Sequence, residues 1–213
     1  MPEGDAVRRL AGTLDELFVG GIVSASSPQG RFASSAALLD GWVMQRVRVH
    51  GKHMFIGFVP PIEGETYEAG VALLEGAAAG SGEPILGEDA PWPDRWVHIH
   101  LGLYGWWRFN GDETVVDEGH GVAHRIPNVP KGEWNGHSET RWGEGFGEAK
   151  AGEWEPPEPV GAVRLRLFSD HAVADLVGPN RCDLITDEER IKAESKLGPD
   201  PLDAGARSDA EAM

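Results

Sequence analysis

Six short runs of the 213-residue chain carry the patterning of strands, and their spacing confines it to a sheet-based architecture. They are Ile22–Ser26, Trp42–Val49, Met54–Val59, Trp96–Leu101, Trp106–Asn110 and Val163–Phe168. In two of them the period is two: Val97, Ile99 and Leu101 alternate with His98 and His100, and Val163, Leu165 and Leu167 with Arg164 and Arg166. Such alternation sends apolar side chains to one face and polar ones to the other, as in a half-buried strand. Helical periodicity is confined to the ends. Val7, Leu10, Leu14, Leu17 and Phe18 make an apolar stripe within residues 3–19, closed by Gly20 and Gly21. Near the other end, Thr186 followed by Glu189 predicts a capped helix running to about Leu197, where Gly198-Pro199 stops it.

Between these runs lie segments of another character. The net charge is −16, yet residues 60–96 and 111–160 each carry −7 and residues 197–213 carry −3, leaving +1 for everything else. The blocks at about 60–95 and 130–160 are rich in Gly, Pro and Glu and lack sustained periodicity, so they are expected to be long loops or partly disordered insertions. Trp134, Trp142 and Trp154 argue that part of the second block packs onto something. At 40% hydrophobic and 25% charged residues the chain is otherwise globular in composition, which excludes collagen-like, coiled-coil and wholly disordered classes. No run approaches 18 consecutive apolar residues, and the first residues lack the basic and apolar blocks of a secretory signal, so a cytoplasmic protein without membrane association is expected. The single cysteine, Cys182, excludes an intrachain disulfide and a zinc site built on paired cysteines; its CDLI setting predicts a small core residue. His98 and His100 share a strand face but have no third ligand at metal-binding spacing, which makes them polar strand residues.

The chemistry begins at Met1-Pro2-Glu3-Gly4-Asp5. Removal of Met1 would leave Pro2 as a secondary α-amine, a group that titrates at about 7.7–8.0 against about 10.4 for lysine. The positive end of a helix lowers it further. Such an amine can attack an electrophilic sugar carbon and form an iminium, as a lysine does in a Schiff base. Glu3 could act as acid or base at that carbon. Proline and acidic residues also suit a helix's first turn for capping reasons alone, and spacing does not separate the two explanations.

Five ordered blocks point further: MPEGD at the start, RVHGKHMFIGF, HIHLGLYGWWRF at 98–109, VRLRLFSDHAVADLVGPNRCDLITDEE at 163–189 and LGPDPL at 197–202. Together they resemble the formamidopyrimidine-DNA glycosylase/endonuclease VIII family of bifunctional base-excision enzymes, and LYGWW is closer to the endonuclease VIII branch. The matched blocks are the near-neutral segments; the acidic blocks fall between them.

The resemblance implies a two-layered β-sandwich flanked by helices, with the N-terminal helix carrying the active site. It implies Pro2 as the nucleophile at C1′ of the damaged nucleotide and Glu3 as the carboxylate that protonates the sugar ring. Lys52, in the turn Gly51-Lys52-His53, would contact the phosphate beside the lesion, a role suited to a cation at a hairpin tip. Leu103 and Tyr104 would wedge into the duplex where the base is flipped, offsetting the lost stacking. Gly102 stands where the endonuclease VIII branch tends to carry a longer polar side chain, so only part of that wedge matches. Arg164 and Arg166 share a strand face and could touch phosphates. The partner would be damaged double-stranded DNA, met by a monomer in the bacterial cytoplasm at the nucleoid. The reaction would be removal of oxidised pyrimidines followed by β,δ-elimination.

The chain ends eleven residues after LGPDPL. The expected organisation is a catalytic sandwich over 1–185 and, over 186–213, the start of a truncated helix–two-turns–helix module. No cofactor is expected in this chain, since the family's zinc-finger ligands would lie beyond it. With that basic module missing, the alternative is a non-catalytic remnant or an acidic protein-interaction module.

Overall fold

The computed structural model describes residues 2–61, 92–112, 126–127 and 154–198, with Pro2, Glu3, Asp5 and residues 126–127 described in backbone only. Most of both acidic blocks, with Trp134 and Trp142, lies outside the described residues. The elements run α1 (Pro2–Phe18), β1 (Ile22–Ser26), α2 (Ala33–Leu39), β2 (Trp42–His50), β3 (His53–Val59), β4 (Arg95–His100), β5 (Trp106–Gly111), β6 (Ile126–Pro127), β7 (Val163–Phe168), β8 (Ala172–Val177), β9 (Arg181–Ile185) and α3 (Asp187–Glu194). No described helix is long and apolar enough to cross a membrane.

The strands pair antiparallel in the order β6-β5-β8-β7-β1-β2-β3-β4-β9. β1 belongs to both halves of this order. Its Ile22 and Val23 pair with β2, whereas Ser24, Ala25 and Ser26 pair with β7. The sheet turns its corner along this strand. One hydrophobic core draws Met54, Ile56, Val97 and Ile99 from one half and Trp107, Phe109, Leu165, Leu167 and Leu176 from the other. The two halves are therefore the two layers of a sandwich, as the family resemblance implied. Fully burying such a side chain is worth about 1.5–3 kcal/mol, so this shared interior is the main force holding the layers together.

α1 puts its predicted stripe to use. Val7, Leu10, Leu14 and Phe18 are all buried in the same core, and the helix packs against β2 and β3 of one layer and β6 and β8 of the other. At its end the chain reverses, and the Gly20 N–H donates to Met44 O at 2.8 Å.

On the first layer the outward residues form registered rows. His50, His53, His100 and Arg181 make one row across β2, β3, β4 and β9; Arg48, Phe55, His98 and Asp183 make the next. α3 lies over this outer face. The predicted capping box is present: Thr186 Oγ1 accepts from Glu189 N at 3.3 Å, and the Glu189 carboxylate accepts from Thr186 N at 2.9 Å. Arg190 is buried beneath the helix, its guanidinium 4.7 Å from the Trp96 ring centroid and 5.6 Å from that of Trp92. Asp187 and Glu194 accept from it at 2.7 and 2.6 Å, so the buried charge is fully answered.

On the second layer the corresponding row is Arg108–Asp175–Arg166, across β5, β8 and β7. This corrects the expectation for Arg166. It does not share an exposed face with Arg164: it is buried, its guanidinium directed at Asp175 and donating to the Pro157 carbonyl. The Pro157 carbonyl meets the guanidinium on that side, and Asp175 on the neighbouring strand draws the arginine inward.

Candidate nucleic-acid interface

The β2–β3 hairpin closes with a two-residue turn, Gly51-Lys52, between the registered partners His50 and His53. Gly51 has φ +58, the positive-φ first position that two-residue hairpin turns use, and Lys52 is exposed at the tip. A second turn, 101–105, joins β4 to β5. The Leu101 carbonyl accepts from Gly105 N at 3.0 Å and from Asn180 N at 3.4 Å, which fastens this turn to the 178–180 turn between β8 and β9. Gly102 has φ +66, and a Cβ there would lie 2.3 Å from the Asn180 side chain; only glycine fits. Beyond this anchor Leu103 and Tyr104 are 62% and 78% exposed. Large apolar side chains held outward on a fixed turn gain nothing from the fold, so they are available to a partner.

Register places these turns together. β3 begins at His53, β4 ends at His100 and β9 begins at Arg181, and the three are cross-strand partners. The Lys52 tip, the 101–105 turn and the 178–180 turn therefore emerge from the same end of the sandwich. β7 begins at that end too, because Val163 pairs with Val177 beside Gly178. Arg164 thus stands near the site, its Nε donating to Gln29 Oε1 at 2.8 Å. Lys52, Leu103, Tyr104 and Arg164 are brought to one end of the molecule, while Arg166 is not. Sequence reasoning missed Arg181 and the role of His100 in this row, because strand register carries no mark in a single sequence.

The charge of this end comes from Lys52, Arg164 and Arg181. Arg181 is partly answered by Asp183 at 2.6 Å, but both side chains are half-exposed and such a pair is worth about 0–1 kcal/mol. The histidines behind the turn stay neutral near pH 7. His53 Nδ1 and His98 Nε2 are 2.8 Å apart, and Phe55 stacks on His98 at 4.3 Å. Burial, with the neighbouring His100 and Arg181 next, holds His53 down to about 4. Burial and Arg181 do the same to His98. Behind them Cys182 is buried in the core, and burial pushes its thiol up to about 12. Among the described residues no group of three or more His, Cys, Asp or Glu is arranged to hold a metal ion. Pro2 and Glu3 occupy the first turn of α1; their side chains lie outside the described residues.

An antiparallel sandwich with a cation-bearing hairpin tip and an exposed apolar turn at one end is the class of β-domain that this fold and site define. No family model matches the chain. Curated relatives do: "Endonuclease 8 1" of Mycobacterium tuberculosis and of Mycobacterium bovis are each 32% identical over 210 residues, 99% of this chain and 50% of theirs. The chain thus spans about half the length of the curated relatives it matches. Among solved structures, a complex of Lactococcus lactis Fpg with abasic-site DNA aligns over 92% of this chain and 46% of that one, at 13% identity and TM-score 0.46. A MutM complex with DNA containing carbocyclic 8-oxo-G aligns over 92% and 48%, again at 13% identity and TM-score 0.46. The chain belongs to the formamidopyrimidine-DNA glycosylase/endonuclease VIII family.

Proposed function

We propose that this chain supplies the catalytic half of a base-excision enzyme that removes oxidised pyrimidines from duplex DNA and then cleaves the abasic site. The observation that carries it is the gathering of Lys52, Leu103 and Tyr104 at one end of the sandwich by the His53–His100–Arg181 register. A flipped nucleotide leaves a gap in the stack, and Leu103 and Tyr104 have the size and exposure to fill it. Lys52 and Arg181, exposed cations at the same end, would meet the backbone phosphates beside that gap.

In the reaction, loss of Met1 frees the Pro2 amine, whose lone pair attacks C1′. The bond from C1′ to the base breaks and the base leaves with that electron pair and a proton. Glu3 protonates the ring oxygen as the sugar opens, giving an iminium between Pro2 and C1′. Loss of a C2′ proton then expels the 3′ phosphate, a second elimination expels the 5′ phosphate, and water releases the sugar remnant from Pro2. Lys52 neutralises the phosphate beside the lesion while this happens. The pyrimidine preference is taken from the endonuclease VIII likeness of the LYGWW block.

Borohydride reduces an iminium to a stable amine, so incubation with abasic-site duplex and borohydride is expected to give a covalent protein–DNA adduct. Retaining Met1, or adding a tag ahead of Pro2, should abolish it. A blocked chain that traps as well as the free one removes Pro2 from the mechanism.

A further inference from the structure

Every outward side chain along the second half of β2 meets the α3 assembly. The Arg46 guanidinium lies 4.4 Å from the centroid of the Trp92 ring, the same ring that flanks Arg190. Arg48 Nε reaches Glu194 Oε1 at 3.3 Å, and Glu194 also holds Arg190. His50 Nε2 lies 2.6 Å from the Gly198 carbonyl, where the described chain leaves α3. A carbonyl can only accept, so His50 donates Nε2–H.

His50 is also the residue directly before Gly51-Lys52, and its pairing with His53 closes that turn. A two-residue turn has almost no freedom of its own, so the position of Lys52 follows the position of His50. One imidazole therefore spans the base of the Lys52 turn and the exit of the last described helix. The first two contacts hold α3 to the sheet and need no further explanation. The third acts on a stretch that is neither helix nor strand.

We propose that His50 is a positioning residue that locks the Lys52 turn to the exit of α3 at Gly198, so that the lysine is held in place by the helix side of the fold. The contact itself is independent of the glycosylase assignment; its consequence for Lys52 rests on that assignment. The partner it serves would be the phosphate backbone of duplex DNA, which Lys52 meets when its turn is held.

Two measurements on the full chain decide it. In hydrogen exchange without DNA, His50→Ala should quicken exchange in peptides covering 48–55 and 192–198 together, by about fivefold, the equivalent of one lost hydrogen bond. His50→Gln, which keeps a side-chain donor, should restore both. In borohydride trapping on abasic-site duplex, His50→Ala should lose about fivefold in rate, and nothing further when Lys52 is already alanine. Unchanged exchange, or a change in only one of the two peptides, overturns the lock. Equal losses from His50→Ala with and without Lys52 overturn its action through the lysine. A parent chain that traps nothing refutes the glycosylase assignment, while exchange still decides the lock.

Discussion

His53 and His98 face each other across β3 and β4 with Nδ1 and Nε2 2.8 Å apart, an arrangement that holds one proton between two rings and has no room for two. Burial keeps both near a pKa of about 4, whereas an unfolded histidine titrates at about 6.5. Between those values the unfolded chain binds more protons than the folded one, so falling pH favours unfolding. The stabilisation is complete above about pH 6.5 and is lost as pH drops toward 4. Denaturant midpoints at pH 7.5 and pH 4.5 should therefore differ, and His98→Phe, which keeps the stack on Phe55, should shrink that difference. An identical pH dependence in His98→Phe would show that other groups cause it.

The two arginines of β7 should separate cleanly. Arg166→Ala leaves Asp175 its closer partner Arg108 but removes a buried guanidinium and its bond to the Pro157 carbonyl, and losing a hydrogen bond from a charged group costs about 1.5–3 kcal/mol. Chemical denaturation should register most of that loss. Arg164→Ala should leave stability within about 0.5 kcal/mol, as for other substitutions at the surface. If Arg164 meets a phosphate, its loss should also reduce the salt slope of DNA binding by about 0.9. A larger stability loss for Arg164 than for Arg166 would contradict the geometry.

Lys52 sits exposed on a hairpin tip, so Lys52→Ala should keep stability within about 0.5 kcal/mol, as for other substitutions at the surface. It should weaken binding to abasic-site duplex and lower the slope of log affinity against log salt by about 0.9, the effect of one phosphate contact. An unchanged slope would place Lys52 away from the DNA.

The 101–105 turn gives a paired test. Leu103→Ala and Tyr104→Ala should leave stability untouched, since both side chains stand in solvent, yet slow excision of a base that must be flipped out. Gly102→Ala should do the opposite to stability: a left-handed alanine costs about 1–2 kcal/mol, before the collision with Asn180 is counted. Excision rates unchanged in both exposed-residue variants would remove the wedge.

What the sequence disclosed follows from which forces are local. The α1 stripe, the capping box at Thr186 and the strands β1 to β5 and β7 rest on periodicity and turn residues, and they stand within a residue or so of where those signals put them. α2 is a seven-residue helix of Ala, Ser and Leu with no capping side chain, too short to show a period. β8 reads AVADLV, and Asp175 in its middle argues against a buried strand until Arg108 and Arg166 are seen on either side of it. β9 is interrupted in the same way by Arg181 and Asp183. At the site, Lys52 and the Leu103-Tyr104 pair announce themselves within a few residues. Their neighbourhood does not, because it depends on His53 pairing with His100 and His100 with Arg181, partners 47 and 81 positions apart in the chain.

The β3–β4 connection has a consequence for how this fold can change. Phe58 and Arg95 are cross-strand partners, so 36 residues leave one strand and return directly beside it. Closure entropy grows only as the logarithm of length, and replacing a two-residue link by one of this size costs about 2.5 kcal/mol. Both ends of the excursion are pinned by the β3–β4 ladder. The stretch ahead of Trp92, whose ring meets Arg46 and Arg190, can therefore change length over evolutionary time at little closure cost, while the rows that carry Lys52 and Arg181 keep their register.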